Sequence, residues 1–269
     1  MCLVDLHLRT TASDGTLSRH AVFKYVRRLH IALFSITDRD LPQWIDVPAD
    51  LSDNYLPGIS VHAQIDDRPL DLLIYGNIDP RTKLVAELAV QRIERSARVR
   101  ETIFRLIQTG IVITFDEVLR HAGPECSSIT RFHIAKVLVE RGIARTVRDA
   151  FRRYLSCGSP CYVPFSRLDA QAVVEMAHDA GAIAVVADPL GLTNNLDIER
   201  LARLGIDGIE TRQTTMPPEQ SERLEQYARM HALLITGGSH CQDRGVPGPV
   251  PLPEASLNLL RRYAFRLAG

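Results

Sequence analysis

A short stretch near the start of the chain combines residue types that could bind a metal ion. It runs Asp5-Leu6-His7-Leu8-Arg9-Thr10 and follows the apolar run Cys2-Leu3-Val4, which is typical of a buried strand. Because side chains alternate along a strand, Asp5, His7 and Arg9 should share one face. A His-x-His pair at positions 7 and 9 would bind a metal, since neutral imidazoles two residues apart can reach one ion. Arginine at position 9 is instead permanently cationic and has no lone pair to donate.

Seven motifs in sequence order resemble those of the PHP (polymerase and histidinol phosphatase) superfamily of metal-dependent phosphoesterases. The branch they resemble contains nucleoside 3',5'-bisphosphate phosphatases and 5'-to-3' exoribonucleases. Residues 5–15 resemble the family opening Asp-Leu-His-x-His-Thr, followed by Ser-Asp-Gly. The other six motifs lie at 36–40, 57–60, 70–75, 131–135, 187–189 and 237–242. The resemblance therefore runs over nearly the whole chain, from residue 3 to about residue 242.

Carried over position by position, the resemblance implies a metal site that has lost most of its ligands. Three ligand positions keep the family's residue type: His7, Asp14 and His133. Six others hold different residues, namely Arg9, Arg39, Ser60, Asp71, His240 and Gln242, and Asp188 replaces a further histidine. Clustered metal ions need dense anionic or imidazole ligation, and a guanidinium ~4 Å away would repel a divalent ion by several kcal/mol at an effective dielectric near 20. We therefore do not expect the three-metal cluster of the family.

Two interpretations of the remaining polar groups stay open. Six of them could hold one divalent ion (Mn, Fe or Zn): His7, Asp14, Asp71, His133, Asp188 and His240. In the other interpretation the site holds no metal, the aspartates form ion pairs with the new arginines, and the retained histidines are hydrogen-bonded core residues. The sequence favours the ion pairs over a rebuilt metal site.

The arginines are also candidate phosphate ligands, because a guanidinium presents a planar fork of donors to an oxyanion. Arg9, Arg39 and Arg131 could bind a phosphate or a nucleotide directly, and Arg131 is the strongest candidate because its motif is otherwise preserved. Arg212 follows a predicted strand at its C-terminal end, where barrel sites form. A surface-loop arginine is the competing interpretation of Arg212.

Composition narrows the class of protein. Lys+Arg and Asp+Glu both number 32, so the net charge is zero, and no overall basic field favours long nucleic acid. No apolar run approaches the roughly 20 residues of a membrane helix, and the N-terminus lacks a signal-peptide pattern. The five cysteines form no CxxC pair, and we expect reduced thiols. These features predict a cytoplasmic protein that does not associate with membranes.

Apolar runs and helical patterns alternate at both ends of the chain. Short runs rich in β-branched residues at 32–36, 183–187, 208–210 and 233–236 alternate with helix-period stretches at 18–29, 169–180, 198–204 and 218–231. This alternation predicts parallel β/α units and an α/β fold. The family resemblance implies a distorted seven-stranded β/α barrel, which we assign to residues 1–80 and 166–269.

A helical insertion is predicted at 81–165. Its first helix, 83–108, has an apolar face and an opposite face with five arginines that we expect to be solvated, Arg92, Arg95, Arg98, Arg100 and Arg105. Three further helices are predicted at 115–122, 133–141 and 146–154. A proline-rich stretch, 246–253, should be an extended connection to a final helix at 254–267.

Three functional hypotheses follow. In the first, the chain is a catalytically impaired PHP phosphoesterase that binds phosphate or a nucleotide through arginines. In the second, it is an active metal-dependent phosphoesterase with a reduced metal site, acting on nucleoside 3',5'-bisphosphates or short RNA. In the third, it binds a protein partner through the helical insertion or the proline-rich stretch. The sequence favours the first and does not indicate an oligomeric state.

Overall fold

Two hydrogen-bonded β-sheets and the helices around them form the fold. The computed structural model describes residues 1–42, 44–66, 68–165, 168–189, 195–239 and 248–264. Within them, strand β1 (Cys2–Leu8) lies at the centre of a three-stranded sheet. It pairs in parallel with β2 (Leu33–Ile36) and antiparallel with β9 (Val250–Leu252). All residues of β1 from Val4 onwards are buried, which places the polar side chains of β1 inside the protein.

The second sheet has six strands and a mixed topology. They are β3 (Gly58–Ile65), β4 (Arg68–Tyr75), β5 (Leu168–Asp169), β6 (Ile183–Ala187), β7 (Gly208–Gln213) and β8 (Leu234–Gly238), in the spatial order β5-β3-β4-β6-β7-β8. Strands β6, β7 and β8 are parallel, as the sequence predicts. Strand β4 runs antiparallel to both of its neighbours, β3 and β6. The predicted α/β class is confirmed, whereas the seven-stranded barrel stays a prediction. Strand β1 of the first sheet lies beside strand β8 of the second sheet.

Five helices accompany the sheets: α1 (Arg19–Arg28), α6 (Ala170–Asp179), α7 (Asn195–Arg203), α8 (Pro218–Met230) and α9 (Glu254–Ala264). The predicted N-cap of α1 is confirmed, since the Ser18 hydroxyl accepts a hydrogen bond from the Ala21 N–H at 3.2 Å. Such a bond satisfies one of the unpaired donors at a helix start. Helix α9 begins where predicted, and the last predicted residues of this helix lie outside the described ones.

The predicted insertion contains four helices: α2 (Lys83–Gln108), α3 (Phe115–Ala122), α4 (Arg131–Glu140) and α5 (Val147–Ala150), the last continued by a π-helical turn at Phe151–Leu155. These helices bury a separate apolar cluster that includes Val99, Leu106 and Leu138. The first half of α2 packs through Leu84 and Leu88 on the main core instead. Helix α2 therefore connects the two cores, and the boundaries of the insertion at 81 and 165 stay a prediction.

The solvated arginine face predicted for α2 is wrong at two positions. Arg95 and Arg98 are only 4% and 6% exposed. The Nε of Arg95 donates to the Asp40 carboxylate at 2.9 Å, and both guanidinium groups lie about 5 Å from the ring centre of Phe165. A buried counter-charge and an aromatic ring make burial of an arginine tolerable, and helical periodicity reveals neither.

Two further observations concern membrane-spanning helices and cysteines. Among the residues that the structure describes, no helix is both long and apolar enough to cross a bilayer. The four described cysteines, Cys2, Cys126, Cys157 and Cys161, are free thiols.

Gly238 provides a test of the packing of β8 against β1. A β-carbon at this position would lie 2.6 Å from the backbone nitrogen of His7, closer than core packing allows. We expect Gly238→Ala to lower the free energy of unfolding by more than about 2 kcal/mol, since overpacking costs roughly 1–3 kcal/mol. Gly205→Ala is the control, because Gly205 has a positive φ but no neighbour closer than 3.9 Å to the added carbon. It should cost only about 1 kcal/mol. Equal losses in urea denaturation would contradict the close approach of the two strands.

Candidate functional site

The centre of the candidate site is His7 of β1, whose two ring nitrogens are both engaged. Its Nδ1 lies 3.1 Å from Oε1 of Glu210, a fully buried residue of β7. A carboxylate can only accept, so we assign the imidazole proton to Nδ1. The lone pair on Nε2 then faces Nη2 of Arg9 at 3.4 Å. Arg9 therefore occupies the direction in which His7 would bind a metal.

Arg9 is itself held by groups at two other positions where the family has ligands. Its Nη1 donates to Oδ1 of Asp14 at 2.9 Å, and its Nη2 donates to the Ser60 hydroxyl at 3.2 Å. The guanidinium is fully buried. A metal ion at about 2.0–2.1 Å from Nε2 of His7, on the side of Arg9, would lie well inside van der Waals contact of Nη2. The residues present thus do not fit a metal at this nitrogen.

A second arginine continues the network on the other side of Asp14. The Nε of Arg39 lies 3.4 Å from Oδ2 of Asp14, and its Nη1 lies 3.6 Å from Oδ1 of Asp71. The same Nη1 is 2.8 Å from Nδ1 of His62, which is in turn in close contact with Asp71. The ion pairs predicted between aspartates and new arginines are therefore present for Asp14 and Asp71.

The arginines determine the ionisation of these two carboxyl groups. Burial alone would raise the pKa of Asp14, but the charges of Arg9 and Arg39 hold it well below its usual range. Burial likewise opposes ionisation of Asp71, and His62 and Arg39 hold the pKa of Asp71 well below its ordinary value. Both aspartates are therefore charged at neutral pH. Each of them is paired with the guanidinium group of Arg9, of Arg39 or of both.

Both ring nitrogens of His133 form hydrogen bonds that have a structural role. Its Nδ1 accepts the Thr130 N–H at 3.0 Å and thereby caps helix α4. Because Nδ1 is the acceptor, Nε2 carries the proton and donates to the Ser13 carbonyl at 3.0 Å. Burial lowers the pKa of His133, which keeps the ring neutral. These bonds favour the interpretation of His133 as a hydrogen-bonded core residue.

The remaining predicted metal ligands are more scattered. The N–H of Asp188 donates to Glu210 at 3.0 Å, and burial together with the charge of Glu210 raises the pKa of the Asp188 carboxyl. Asp188, Asp71 and His62 line a cavity of about 340 Å³. His240 lies outside the described residues. Across the described ranges, no group of three or more His, Cys, Asp or Glu side chains is arranged to hold a metal ion.

A larger cavity, of about 430 Å³, opens beside this network and is here called the arginine cavity. Twelve residues line it: Asp14, Arg39, His62, Arg95, Arg98, Val99, Thr130, Arg131, Phe132, Val147, Arg148 and Phe151. Helices α2, α4 and α5 contribute four of its five arginines, and the segment after β2 contributes Arg39. Asp14 is the one carboxylate among the described lining residues. The described lining residues therefore carry more positive than negative charge, although Arg39 and Arg95 are also paired with carboxylates.

The four predicted phosphate ligands fall in different places. Arg39 and Arg131 line the arginine cavity, and Nη1 of Arg131 also donates to the Leu155 carbonyl at 2.5 Å. Arg9 is fully buried behind the cavity wall. Arg212 is not among the lining residues; it donates to Glu225 at 2.5 Å and to the Pro251 carbonyl at 2.6 Å. The contacts of Arg212 favour a structural role, and its phosphate binding stays a prediction.

Sequence reasoning did not select four residues that the structure places at the site: Glu210, His62, Arg95 and Arg98. Glu210 had a visible signal, because a lone carboxylate ends the apolar run 208–210 of a predicted buried strand. His62 follows Ser60 by two residues and therefore shares its face of β3. The two arginines had no local signal, because their partners come from distant parts of the chain.

Comparison with known proteins gives consistent similarities. The chain is 30% identical over 252 residues to the 5'-3' exoribonuclease Rnm of Escherichia coli, covering 88% of this chain and 84% of the relative. It is 30% identical over 262 residues to a 3',5'-nucleoside bisphosphate phosphatase of Chromobacterium violaceum, covering 92% and 90%. A solved structure from Bifidobacterium adolescentis, provisionally assigned as a metal-dependent phosphoesterase, superposes with a TM-score of 0.85 at 28% identity, covering 98% and 97%. No family model matches the chain.

The buried position of Arg9 can be tested against an exposed ion pair of the same type. Arg9→Met should lower the free energy of unfolding by about 3–5 kcal/mol, because it leaves buried carboxylates with fewer counter-charges. Arg27→Met is the matched control, since Arg27 contacts Asp50 through two nitrogens but is 41% exposed. It should cost far less than Arg9→Met, because water and salt screen an exposed ion pair. The measurement is urea denaturation of both variants. A loss below about 1 kcal/mol for Arg9→Met would show that its buried contacts contribute little.

Asp5 should make stability depend on pH. This fully buried carboxyl accepts the Ser239 N–H at 2.8 Å and the Tyr25 hydroxyl at 3.0 Å, but burial raises its pKa to about 6. A raised pKa contributes stability that is fully present below about pH 4 and is lost as pH rises through about 6. Asp5→Asn should therefore gain stability relative to the wild type between pH 4 and pH 8, by up to roughly 3 kcal/mol. A difference between the two proteins that does not change with pH would contradict the raised pKa.

Proposed function

The chain belongs to the PHP superfamily of metal-dependent phosphoesterases, and on that basis we propose that it binds the phosphate group of a small ligand through arginines. In this proposal guanidinium groups occupy positions where relatives hold metal ions, and the metal-dependent reaction is impaired. The ligand is inorganic phosphate or a nucleotide. The arginine cavity is its binding site.

The observation that carries this proposal is the set of five arginines around one cavity: Arg39, Arg95, Arg98, Arg131 and Arg148. Guanidinium groups bind phosphate oxygens in pairs and stay charged at any physiological pH. A cleft lined by one sign of charge, with walls of low polarity, also concentrates ligands of the opposite sign. Because the net charge of the chain is zero, attraction for an anion has to come from a local group of arginines such as this one.

The neighbouring polar network supports the absence of a metal cluster. A bound metal would activate water and neutralise phosphate oxygens, but the His7 nitrogen that would bind it faces Arg9. Asp14 and Asp71, two further candidate ligands, are already paired with Arg9 and Arg39. If a metal ion displaced these arginines from the aspartates, their positive charges would lack counter-charges in a buried site. That arrangement has a high free energy.

The nucleotide alternative draws on the relatives and on the cavity wall. One relative is an exoribonuclease and another is a nucleoside bisphosphate phosphatase. The arginine cavity also contains Phe132 and Phe151, and aromatic rings provide faces on which a base can stack. A cavity of about 430 Å³ suits a small ligand, and we propose no long nucleic acid.

Thermal denaturation in a metal chelator tests phosphate binding. A ligand that binds only the folded state stabilises it by mass action. Phosphate at about ten times its dissociation constant should therefore raise the melting temperature by roughly 2–3 °C. Arg148→Met should reduce this rise by half or more, because Arg148 is an exposed lining residue whose loss need not disturb the core. Arg28→Met, an exposed arginine of α1 outside the cavity, should keep the full rise.

Measurements of metal binding and of hydrolysis could contradict the proposal. Mn²⁺ alone should leave the melting temperature nearly unchanged, and Arg9→His with Arg39→His should still not produce tight metal binding. Two or more bound Mn, Fe or Zn ions per chain in the purified wild-type protein would contradict the proposal. The same holds for Mn²⁺-dependent hydrolysis of a nucleoside 3',5'-bisphosphate that is lost in His7→Ala.

A further inference from the structure

His62 is a nucleophilic side chain in the wall of the arginine cavity that phosphate binding does not require. It lies on β3, two residues after Ser60, and its side chain is 21% exposed. The ring lines both the arginine cavity and the smaller cavity beside Asp188. It is therefore accessible to a ligand and is close to the polar network.

Asp71 determines how the imidazole of His62 is oriented. The two residues are directly opposite each other in the β3–β4 ladder, and the Asp71 carboxylate is in close contact with Nδ1 of His62. Because a carboxylate only accepts, this contact requires the proton on Nδ1. Nη1 of Arg39, a donor, also lies 2.8 Å from Nδ1. We assign the proton to Nδ1 because the same Nη1 lies 3.6 Å from Oδ1 of Asp71 and can donate to that carboxylate instead. The lone pair is then on Nε2, which makes no hydrogen bond with any residue the structure describes.

We propose that Nε2 of His62 is a nucleophile that takes a phosphoryl group from a phosphate monoester bound in the arginine cavity, without a metal ion. This inference rests on the proposed function, since the arginines must first bind the phosphate. Histidine is one of the side chains that form covalent intermediates in enzymes. The arginines would neutralise the phosphoryl oxygens, a task that metal ions perform at other sites.

The two chemical steps balance with water as the co-reactant. In the first step the Nε2 lone pair attacks phosphorus and the bond to the leaving oxygen breaks, so that oxygen departs with the bonding electron pair. In the second step a water oxygen attacks phosphorus, the P–N bond breaks, and its electron pair returns to Nε2. The water gives one proton to the released phosphate and the other to the departed oxygen. The net reaction is hydrolysis of a monoester to an alcohol or phenol and phosphate.

The surroundings of His62 suit the charged intermediate of these steps. The phosphorylated ring keeps its Nδ1 proton and gains positive charge, which the Asp71 carboxylate stabilises, as a carboxylate does for an imidazolium. Arg39 contacts Asp71 and also lines the cavity, so it connects the dyad with the bound phosphate. Asp71 is a positioning residue in this scheme, because it acts through His62.

Labelling of the protein in a metal chelator tests the inference. p-Nitrophenyl phosphate is the probe, because its phenolate leaves without an acid. Intact-mass analysis should detect one added phosphoryl group, labile in acid and stable in base, on His62. His62→Gln should abolish the label. His121→Gln is the matched control, since His121 also contacts a carboxylate, Glu140 at 3.1 Å, but on the outer face of α3 and α4. It should be labelled as the wild type is.

Asp71→Asn separates positioning from folding. The amide can donate to Nδ1 of His62 and thereby move the ring proton to Nε2, which removes the attacking lone pair. Labelling should fall at least tenfold, while phosphate should still raise the melting temperature. Labelling at the wild-type rate in this variant would overturn the role of Asp71.

The outcomes distinguish this inference from the proposed function. Phosphate-induced stabilisation with no label on His62 would overturn the nucleophile and leave the binding proposal intact. An equal label in His62→Gln would also overturn it. If neither stabilisation nor label is observed, both proposals fail. A label on His62 without measurable stabilisation would support the nucleophile and count against phosphate binding at equilibrium.

Discussion

The Asp14 carboxylate between Arg9 and Arg39 is the interaction on which the interior of this protein depends. Three charged groups lie there almost without water, and each would be very unfavourable alone. The loop that carries Asp14 is fixed by a second buried carboxylate, Asp38, which accepts hydrogen bonds from Thr10 and Ser13 at 2.6–2.7 Å. β1, the loop after it and the end of β2 are therefore held together by polar contacts rather than by apolar packing alone.

The same network links the deep interior to the arginine cavity. His7 connects Glu210 to Arg9, Arg9 connects to Asp14, and Arg39 connects Asp14 to Asp71. Arg39 and Asp14 also line the cavity, and the charge of Arg39 acts both on the buried network and on the cavity. Burial of Arg39 strengthens its interaction with each neighbouring charge, because interactions between charges strengthen as water is excluded. A substitution at Arg9 should therefore alter the charge environment of the cavity, because Arg9 is linked to the cavity through Asp14 and Arg39.

Features that depend on adjacent residues could be predicted from the sequence, whereas contacts between distant parts of the chain could not. Buried strands β1, β2, β6, β7 and β8 were visible as apolar runs, and Ser18 was visible as a helix cap, because both signals depend on adjacent residues. The antiparallel pairing of β3 with β4 was not visible, since the apolar residues of β4 fit a parallel or an antiparallel neighbour equally well. Arg95 was predicted to be solvated because helical periodicity shows on which face of the helix a residue lies. It does not show which residues of other elements contact that face. Its partner Asp40 is 55 residues away.

Replacing metal ions by arginines changes some properties of a phosphate site and preserves others. A guanidinium keeps the positive charge and adds directional donors, so attraction for an oxyanion survives. It has no vacant coordination position and cannot lower the pKa of a bound water, so the hydroxide nucleophile of a metal site is lost. A site changed in this way must either only bind its ligand or obtain its nucleophile from a side chain. His62, which contacts Asp71 and lines the cavity, is the side chain that we propose for that role.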